Sequence, residues 1–220
     1  MKGLLLKALA IWFLIMCTCS NSAAQVVWDI NSIDSIGGHK TTVMGSPKVI
    51  ETKQGKAVWF DGIDDSLIVD ALPLAGAQKF TLEVIIRPDP NGYEAEQKFL
   101  QMQENNSKNR IILLTGTAKK NLWYFDSFVK TETGSANLWD VSKTHQFSRW
   151  YNVAIVCNGQ RIGQYVNGAL ELKGKLGLTA LGKGKTSIGA KMNQKSWFKG
   201  AIRKIRFTPR ALKPREFLKP

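Results

Sequence analysis

The sequence predicts an all-β fold of two antiparallel sheets packed face to face, on three observations. Runs of four to eight residues rich in Val, Ile, Phe and Trp recur along the chain, Gly, Asn, Asp and Pro separate them, and no long amphipathic helical pattern intervenes. Strands that follow one another without crossover helices pair antiparallel, and each sheet then hides its apolar side against the other.

The elements follow in chain order. Lys2 and Lys7 flank a basic start, Ala8 to Met16 form a short apolar run, and Ser22-Ala23-Ala24 offers small residues for cleavage, so residues 1–24 read as a signal peptide. The run breaks at Thr18-Cys19-Ser20-Asn21, short of the ~20 apolar residues a membrane span needs. Lipoprotein processing at Cys17 or Cys19 is the alternative, but Met16 and Thr18 are poor predecessors of a lipidated cysteine. Removing residues 1–24 leaves 196 of the 220, the length of one large all-β domain over 25–220. Within it Ala57–Phe60, Ser66–Val69, Phe80–Arg87, Phe99–Gln103, Arg110–Thr115 and Leu122–Phe128 read as strands. Val153–Cys157, Arg161–Val166 and Ala169–Leu172 form a meander joined by turns at Asn158-Gly159 and Asn167-Gly168, dipeptides that tolerate the positive φ of tight hairpins. Thr186–Gly189 and Ala201–Phe207 complete about a dozen strands, and Thr208–Leu218, with two prolines, suits a turn and a short closing helix.

Composition bounds the function. The chain carries 31 Lys and Arg against 17 Asp and Glu, a net charge of +14. Of these, 14 basic residues and one acid, Glu216, lie in Lys173–Pro220, whereas residues 25–172 are nearly balanced. For an exported, periplasmic or extracellular chain, such a field favours acidic or sulfated glycan, lipopolysaccharide or another anionic envelope surface over nucleic acid. The bland counterpart is a solvated surface that keeps strand edges apart. Cleavage removes Cys17 and Cys19 and leaves only Cys157, so no internal disulfide forms. Cys157 sits in an apolar run, where a small buried residue is expected rather than a nucleophile.

Four segments carry a resemblance: Ala57-Val58-Trp59-Phe60-Asp61-Gly62-Ile63-Asp64-Asp65-Ser66-Leu67; Phe80-Thr81-Leu82-Glu83-Val84-Ile85-Ile86-Arg87-Pro88; Trp150-Tyr151-Asn152-Val153-Ala154 leading to Tyr165-Val166-Asn167-Gly168; and Ser187-Ile188-Gly189-Ala190 leading to Phe198-Lys199-Gly200-Ala201-Ile202. In this order they resemble the laminin-G-like branch of the concanavalin A-like lectin and glucanase superfamily, over roughly Trp28 to Leu212. The resemblance implies a jelly-roll sandwich but no single activity, because lectins, binding modules, hydrolases and lyases share that fold. Phe60, Trp150 and Phe198 are expected in the core between the sheets. Related domains often hold a structural calcium, for which Asp61, Asp64 and Asp65 are the candidate ligands; the alternatives are no cofactor and a turn whose aspartates bond their own backbone. Arg203 and Lys204 stand where the family commonly has acids, which weighs against a metal.

Sugar recognition combines an aromatic face with amide, hydroxyl and charged groups. If Trp123 and Phe125 face the core, Tyr124 and Asp126 face outward, since strand side chains alternate. Trp139 and Trp197 occupy loop-like contexts, the latter between Lys195 and Lys199, so Tyr124, Asp126, Trp139, Lys195, Trp197 and Lys199 are the candidate ligand contacts. A retaining glucanase needs two adjacent carboxylates, and no strand shows acids at alternate positions; Glu94 and Glu96 alternate, but in a loop-like stretch. A lyase on acidic polysaccharide would draw a base and neutralising groups from His39, His145, Tyr124, Arg110 and Gln101, which no spacing unites. The sequence therefore favours a non-catalytic, exported carbohydrate-binding domain, with a polysaccharide lyase or glycoside hydrolase second and an adhesive domain using the basic C-terminal quarter third.

Overall fold

Alternation of apolar and polar residues sorts the strands into two eight-stranded antiparallel sheets, described by a computed structural model over residues 24–119 and 122–220. The expected leader, with Cys17 and Cys19, lies outside the described residues apart from Ala24. Among those described, no helix is long and apolar enough to cross a membrane.

The first sheet runs β14 (Ala169–Lys175), β13 (Arg161–Val166), β12 (Tyr151–Cys157), β7 (Phe80–Pro88), β16 (Lys199–Thr208), β5 (Gly55–Asp61) and β4 (Lys48–Thr52), with β1 (Val26–Asp29) also against β16. The second runs β11 (Ser135–Gln146), β10 (Leu122–Lys130), β9 (Arg110–Lys119), β8 (Glu96–Glu104), β15 (Gly184–Ile188), β6 (Ser66–Val69), β3 (His39–Met44) and β2 (Ser35–Ile36). Every expected strand is a strand. β1, β2, β3, β4 and β11 are additional, mostly polar and exposed, and β4, β2 and β11 lie at sheet edges where one apolar stripe suffices.

The core fills the space between the sheets with Phe60, Phe80, Phe99, Trp123, Phe125, Phe198 and Phe207, all essentially inaccessible. A polar link also crosses it: Gln164 of β13 accepts from Ser127 Oγ at 2.6 Å and donates to the Phe125 carbonyl at 3.0 Å, satisfying a buried amide while tying the sheets together. Cys157 is fully buried, and burial pushes its thiol pKa up, as an inert core position requires. Trp150 departs from expectation. It stands half-buried on the outer side of the first sheet, with Arg87 and Arg203 at 5.7 and 5.4 Å from its ring centroid.

Asn167 and Gly168 both adopt positive φ, +50° and +82°, the tight two-residue hairpin their chemistry favours. Asn158 instead opens a three-residue turn in which its side-chain oxygen accepts from Gln160 N and Arg161 N. The C-terminal segment forms a short 3-10 turn, Pro214–Glu216, and lays Leu212 and Phe217 on Ala154, Val156 and Tyr165 outside the first sheet. Beneath it Glu83, wholly buried, accepts from Asn152 Nδ2 at 3.1 Å and Leu218 N at 2.7 Å and pairs with Arg206. Removing the carboxylate would strand a guanidinium and two donors. Glu83→Ala is therefore expected to cost about 3–5 kcal/mol, read as a lower urea midpoint, and to expose residues 212–218 to limited proteolysis; an unchanged midpoint would refute the anchoring role.

Candidate functional site

On the second sheet, antiparallel register aligns four strands into rows on the outer face. One row is Glu96, Gly116, Tyr124 and Thr144; the next is Lys98, Leu114, Asp126 and Trp139; then Gln101, Ile112, Phe128 and Asn137; then Gln103, Arg110, Lys130 and Ser135. Trp123 and Phe125 are in the core, and Tyr124 and Asp126 stand on the opposite side, recessed at 8% and 6% exposure. Gly116 makes room for Tyr124: a Cβ there would come within 2.0 Å of the phenol Cζ, so the ring lies across β9. Trp139 belongs to β11 rather than to a loop, and is 54% exposed beside Asp126.

Three groups surround Asp126. Asn137, with its amide nitrogen toward the sheet, donates to Asp126 Oδ1 at 2.9 Å and to the Ser127 carbonyl at 3.2 Å. Lys98 holds Glu96 at 3.0 Å. Burial, then the neighbouring Glu96 charge, raises the Asp126 pKa to about 7, against a smaller opposing pull from Lys98. Tyr124 is likewise raised by burial, then by Glu96 and Asp126. Near neutral pH the Asp126 carboxyl exists in both forms, so it donates to or accepts from a hydroxyl, beside an exposed indole face.

Glu96, Lys98 and Asn137 were not among the expected site residues. Glu96 opens β8 instead of closing a loop, and its partner acid comes from another strand, so no alternation within one strand marks the pair. Arg110 shares the face two rows from Asp126, with its guanidinium 5.0 Å from the Phe128 ring centroid, and Gln101 is buried on it, donating to Gln103 at 2.7 Å. The histidines lie elsewhere. His145 is opposite Trp123 on the inner side, 2.8 Å from Glu171 of β14, and His39 opens β3 edge-on to Trp28. The structure therefore does not bring together His39, Arg110, Tyr124 and His145.

The loop between β15 and β16 borders the β8 side of this face. Met192 N donates to Gln101 Oε1 at 3.0 Å, Ser66 Oγ to Gln194 Oε1 at 2.9 Å, and Lys98 N to the Ser196 carbonyl at 2.8 Å. It carries exposed Lys195 and half-buried Trp197. Lys199 lies in the first sheet opposite Asp61, its Nζ 3.3 Å from the Asn91 carbonyl. Beyond Asp61, oxygens of Asp61, Asp64 and Asp65 lie within 4.8 Å of one another. Asp65 accepts from Ser46 N at 2.6 Å and Asp61 N at 2.9 Å, and Asp61 Oδ1 from Ile63 N at 2.8 Å. Burial outweighs those bonds and, with the charges of Asp61 and Asp64, raises the Asp65 pKa. The carboxylates retain lone pairs that fit a hard cation.

Comparisons agree on the architecture. The sequence model of a laminin G-like family, described as the concanavalin A-like lectin/glucanases superfamily, matches residues 61–217. A search of curated proteins found no match. Among solved structures, domain 4 of a GH43 extracellular arabinanase from Geobacillus stearothermophilus, in complex with arabinotriose, aligns at TM-score 0.62 and 14% identity over 89% of this chain and 95% of that one. The binding domain of Paraclostridial Mosquitocidal Protein 1 aligns at 0.66 and 13% over 87%, and the receptor binding domain of botulinum neurotoxin D at 0.60 and 15% over 87%. This chain spans half of each of those two toxin chains, 50%. At such identities the likeness is one of fold.

The raised carboxyl predicts a pH dependence. Asp126 has an ordinary pKa of 3.8 when unfolded and about 7 when folded, so its contribution to stability is complete below pH ~4 and is lost as pH rises through ~7. Asp126→Asn should match wild type near pH 4 and exceed it by on the order of 1–2 kcal/mol at pH 8, after allowance for solvent screening. Urea melts of both proteins across that range check the sign; a difference independent of pH would refute it.

Proposed function

This chain belongs to the laminin G-like branch of the concanavalin A-like lectin/glucanases superfamily, and from that premise we propose that it is an exported, periplasmic or extracellular carbohydrate-binding domain. The observation that carries the reading is the outer face of the second sheet, where exposed Trp139 adjoins Asp126, Tyr124 and Asn137. An indole face packs on the apolar side of a sugar ring, and recessed polar groups read its hydroxyls. Support also comes from a fold neighbour crystallised with arabinotriose and a botulinum neurotoxin binding domain solved with SialylT. Lys195 and Trp197 on the bordering loop are the proposed second contact, with Lys199 at its end. The +14 net charge favours acidic or sulfated glycans within that class.

A second reading rests on Glu96 and Asp126. Two carboxyls on adjacent rows, one with its pKa raised to about 7, are the groups a glycoside hydrolase requires. Arg110 and Tyr124 on the same face suit a lyase less well without the histidines. A structural calcium at Asp61, Asp64 and Asp65 belongs to the same proposal, as a brace for the loop after β5.

Trp139→Ala is expected to weaken glycan binding about tenfold or more on an array and in titration, with the thermal midpoint unchanged. Absence of binding to every neutral and acidic glycan would sink the lectin reading. New reducing ends or unsaturated products, abolished by Asp126→Asn and Glu96→Gln, would instead establish the enzyme. Millimolar calcium should raise the thermal midpoint over that in chelator by a few degrees, and Asp64→Asn should erase the difference; equal midpoints would leave the aspartates a turn network only.

A further inference from the structure

One side of β16 is shared by two strands. β16 pairs with β5 over Lys199–Ile202 and with β1 over Lys204–Phe207. The handover falls at Arg203, where the register against β7 shifts between Ile202 and Lys204. A bulge places two consecutive side chains on one face. Ile202 and Ile205 accordingly remain in the core while Arg203 and Lys204 both line the outer side.

The gap between the end of β1 and the start of β5 is a cleft of about 360 Å³. Lys56, Arg203, Lys204 and Lys219 face it against one carboxylate, Asp29. Lys204 already holds that carboxylate at 2.8 Å, and Lys56 reaches exposed Glu51 only at 3.8 Å. Arg203 has no carboxylate partner among the described residues: its guanidinium lies by Trp150, and its Nη1 is buried without an acceptor. A guanidinium with no carboxylate of its own offers paired donors to carboxylate or sulfate. A further row of the same face, Lys48, Trp59, Ala201 and Arg87, extends the basic surface, although Asp89 holds Arg87 at 3.2 Å.

We propose that this notch is a second binding site, for the sulfate or carboxylate groups of an extended acidic polysaccharide. It rests on the polyanion part of the proposed function and not on the aromatic face of the other sheet. Charges spread over neighbouring rows match a polymer better than a lone ion. A bilayer fits poorly, because the most exposed large apolar residues, Tyr93, Ile63 and Trp139, lie outside the cleft.

Dextran sulfate and polygalacturonate are the probes, with neutral dextran and phosphatidylglycerol vesicles as comparators, titrated against the full chain in low and physiological salt. Arg203→Gln should weaken polyanion binding about tenfold and Lys56→Glu several-fold, while Lys143→Glu, an exposed change on the second sheet, should leave it unaltered. Binding of neutral glycans should stay at the wild-type level in Arg203→Gln and Lys56→Glu, which separates failure of this site from failure of the aromatic face. If Arg203→Gln misfolds, Lys56→Glu decides, since its side chain is 55% exposed. Wild-type affinity in Lys56→Glu, an equal loss in Lys143→Glu, or binding to vesicles alone would overturn the proposal.

Discussion

The outer surfaces of this sandwich depend on strand register. Side chains alternate with a period of two, so a slip of one residue would exchange a strand's core and solvent faces. Register here is not uniform, because β-bulges reset it at chosen points. In β8 the shift between Lys98 and Leu100 turns both Phe99 and Leu100 into the core and restores Gln101 and Gln103 to the outer face. In β16 the shift at Arg203 does the reverse, presenting two cations outward. The irregularity between Tyr124 and Asp126 against β11 brings Trp139 opposite the carboxyl. Without these offsets the same residues would not form rows.

That dependence explains what was readable in the sequence. Strands such as Phe80–Arg87 and Val153–Cys157 announce themselves because both faces are buried and their residues are mostly apolar. The turn at Asn167-Gly168 is readable because its φ requirement is local. β11 escapes notice because it is a polar edge strand with one apolar stripe, and its Trp139 consequently looks like a loop residue. The Glu96 and Asp126 pair is hidden for a different reason: alternation tells which residues of one strand share a face, whereas the order of strands in a sheet is a tertiary fact. β9 joins them, through Gly116 and Leu114. The size of Trp150 points to the core, but Arg87 and Arg203 cover it from outside and replace burial with cation–π contact.

The basic C-terminal quarter is also less of a free field than its count suggests. Arg206 is spent on Glu83, Lys204 on Asp29, Lys185 on Asp70 at 3.8 Å and Arg210 on Glu216 at 2.9 Å. Three of those four acids come from earlier strands and loops, so part of the charge asymmetry along the chain is consumed in closing the fold. The Glu83 pair is the strongest instance, since it fixes the C-terminal segment over β7, β12 and β13. Desolvating such a pair is costly, and its value here lies in fixing where that segment docks.

Stability is given up in two outward-facing places, and both adjoin bulges. Asp126 is recessed beside Glu96 at a cost that grows with pH, and Arg203 keeps a guanidinium nitrogen without an acceptor. The other unmet buried atoms, on Trp28, Asn152 and Glu171, belong to side chains packed among His39, Glu83 and His145 and serve contacts within the fold. A sequence selected for stability alone would place apolar residues at 126 and 203, as it does at the neighbouring Phe125 and Ile202. Local costs that no internal contact repays are where a fold makes room for something else. Here they fall on opposite faces with different chemistry: a carboxyl beside an indole on one sheet, and a guanidinium in a basic notch on the other.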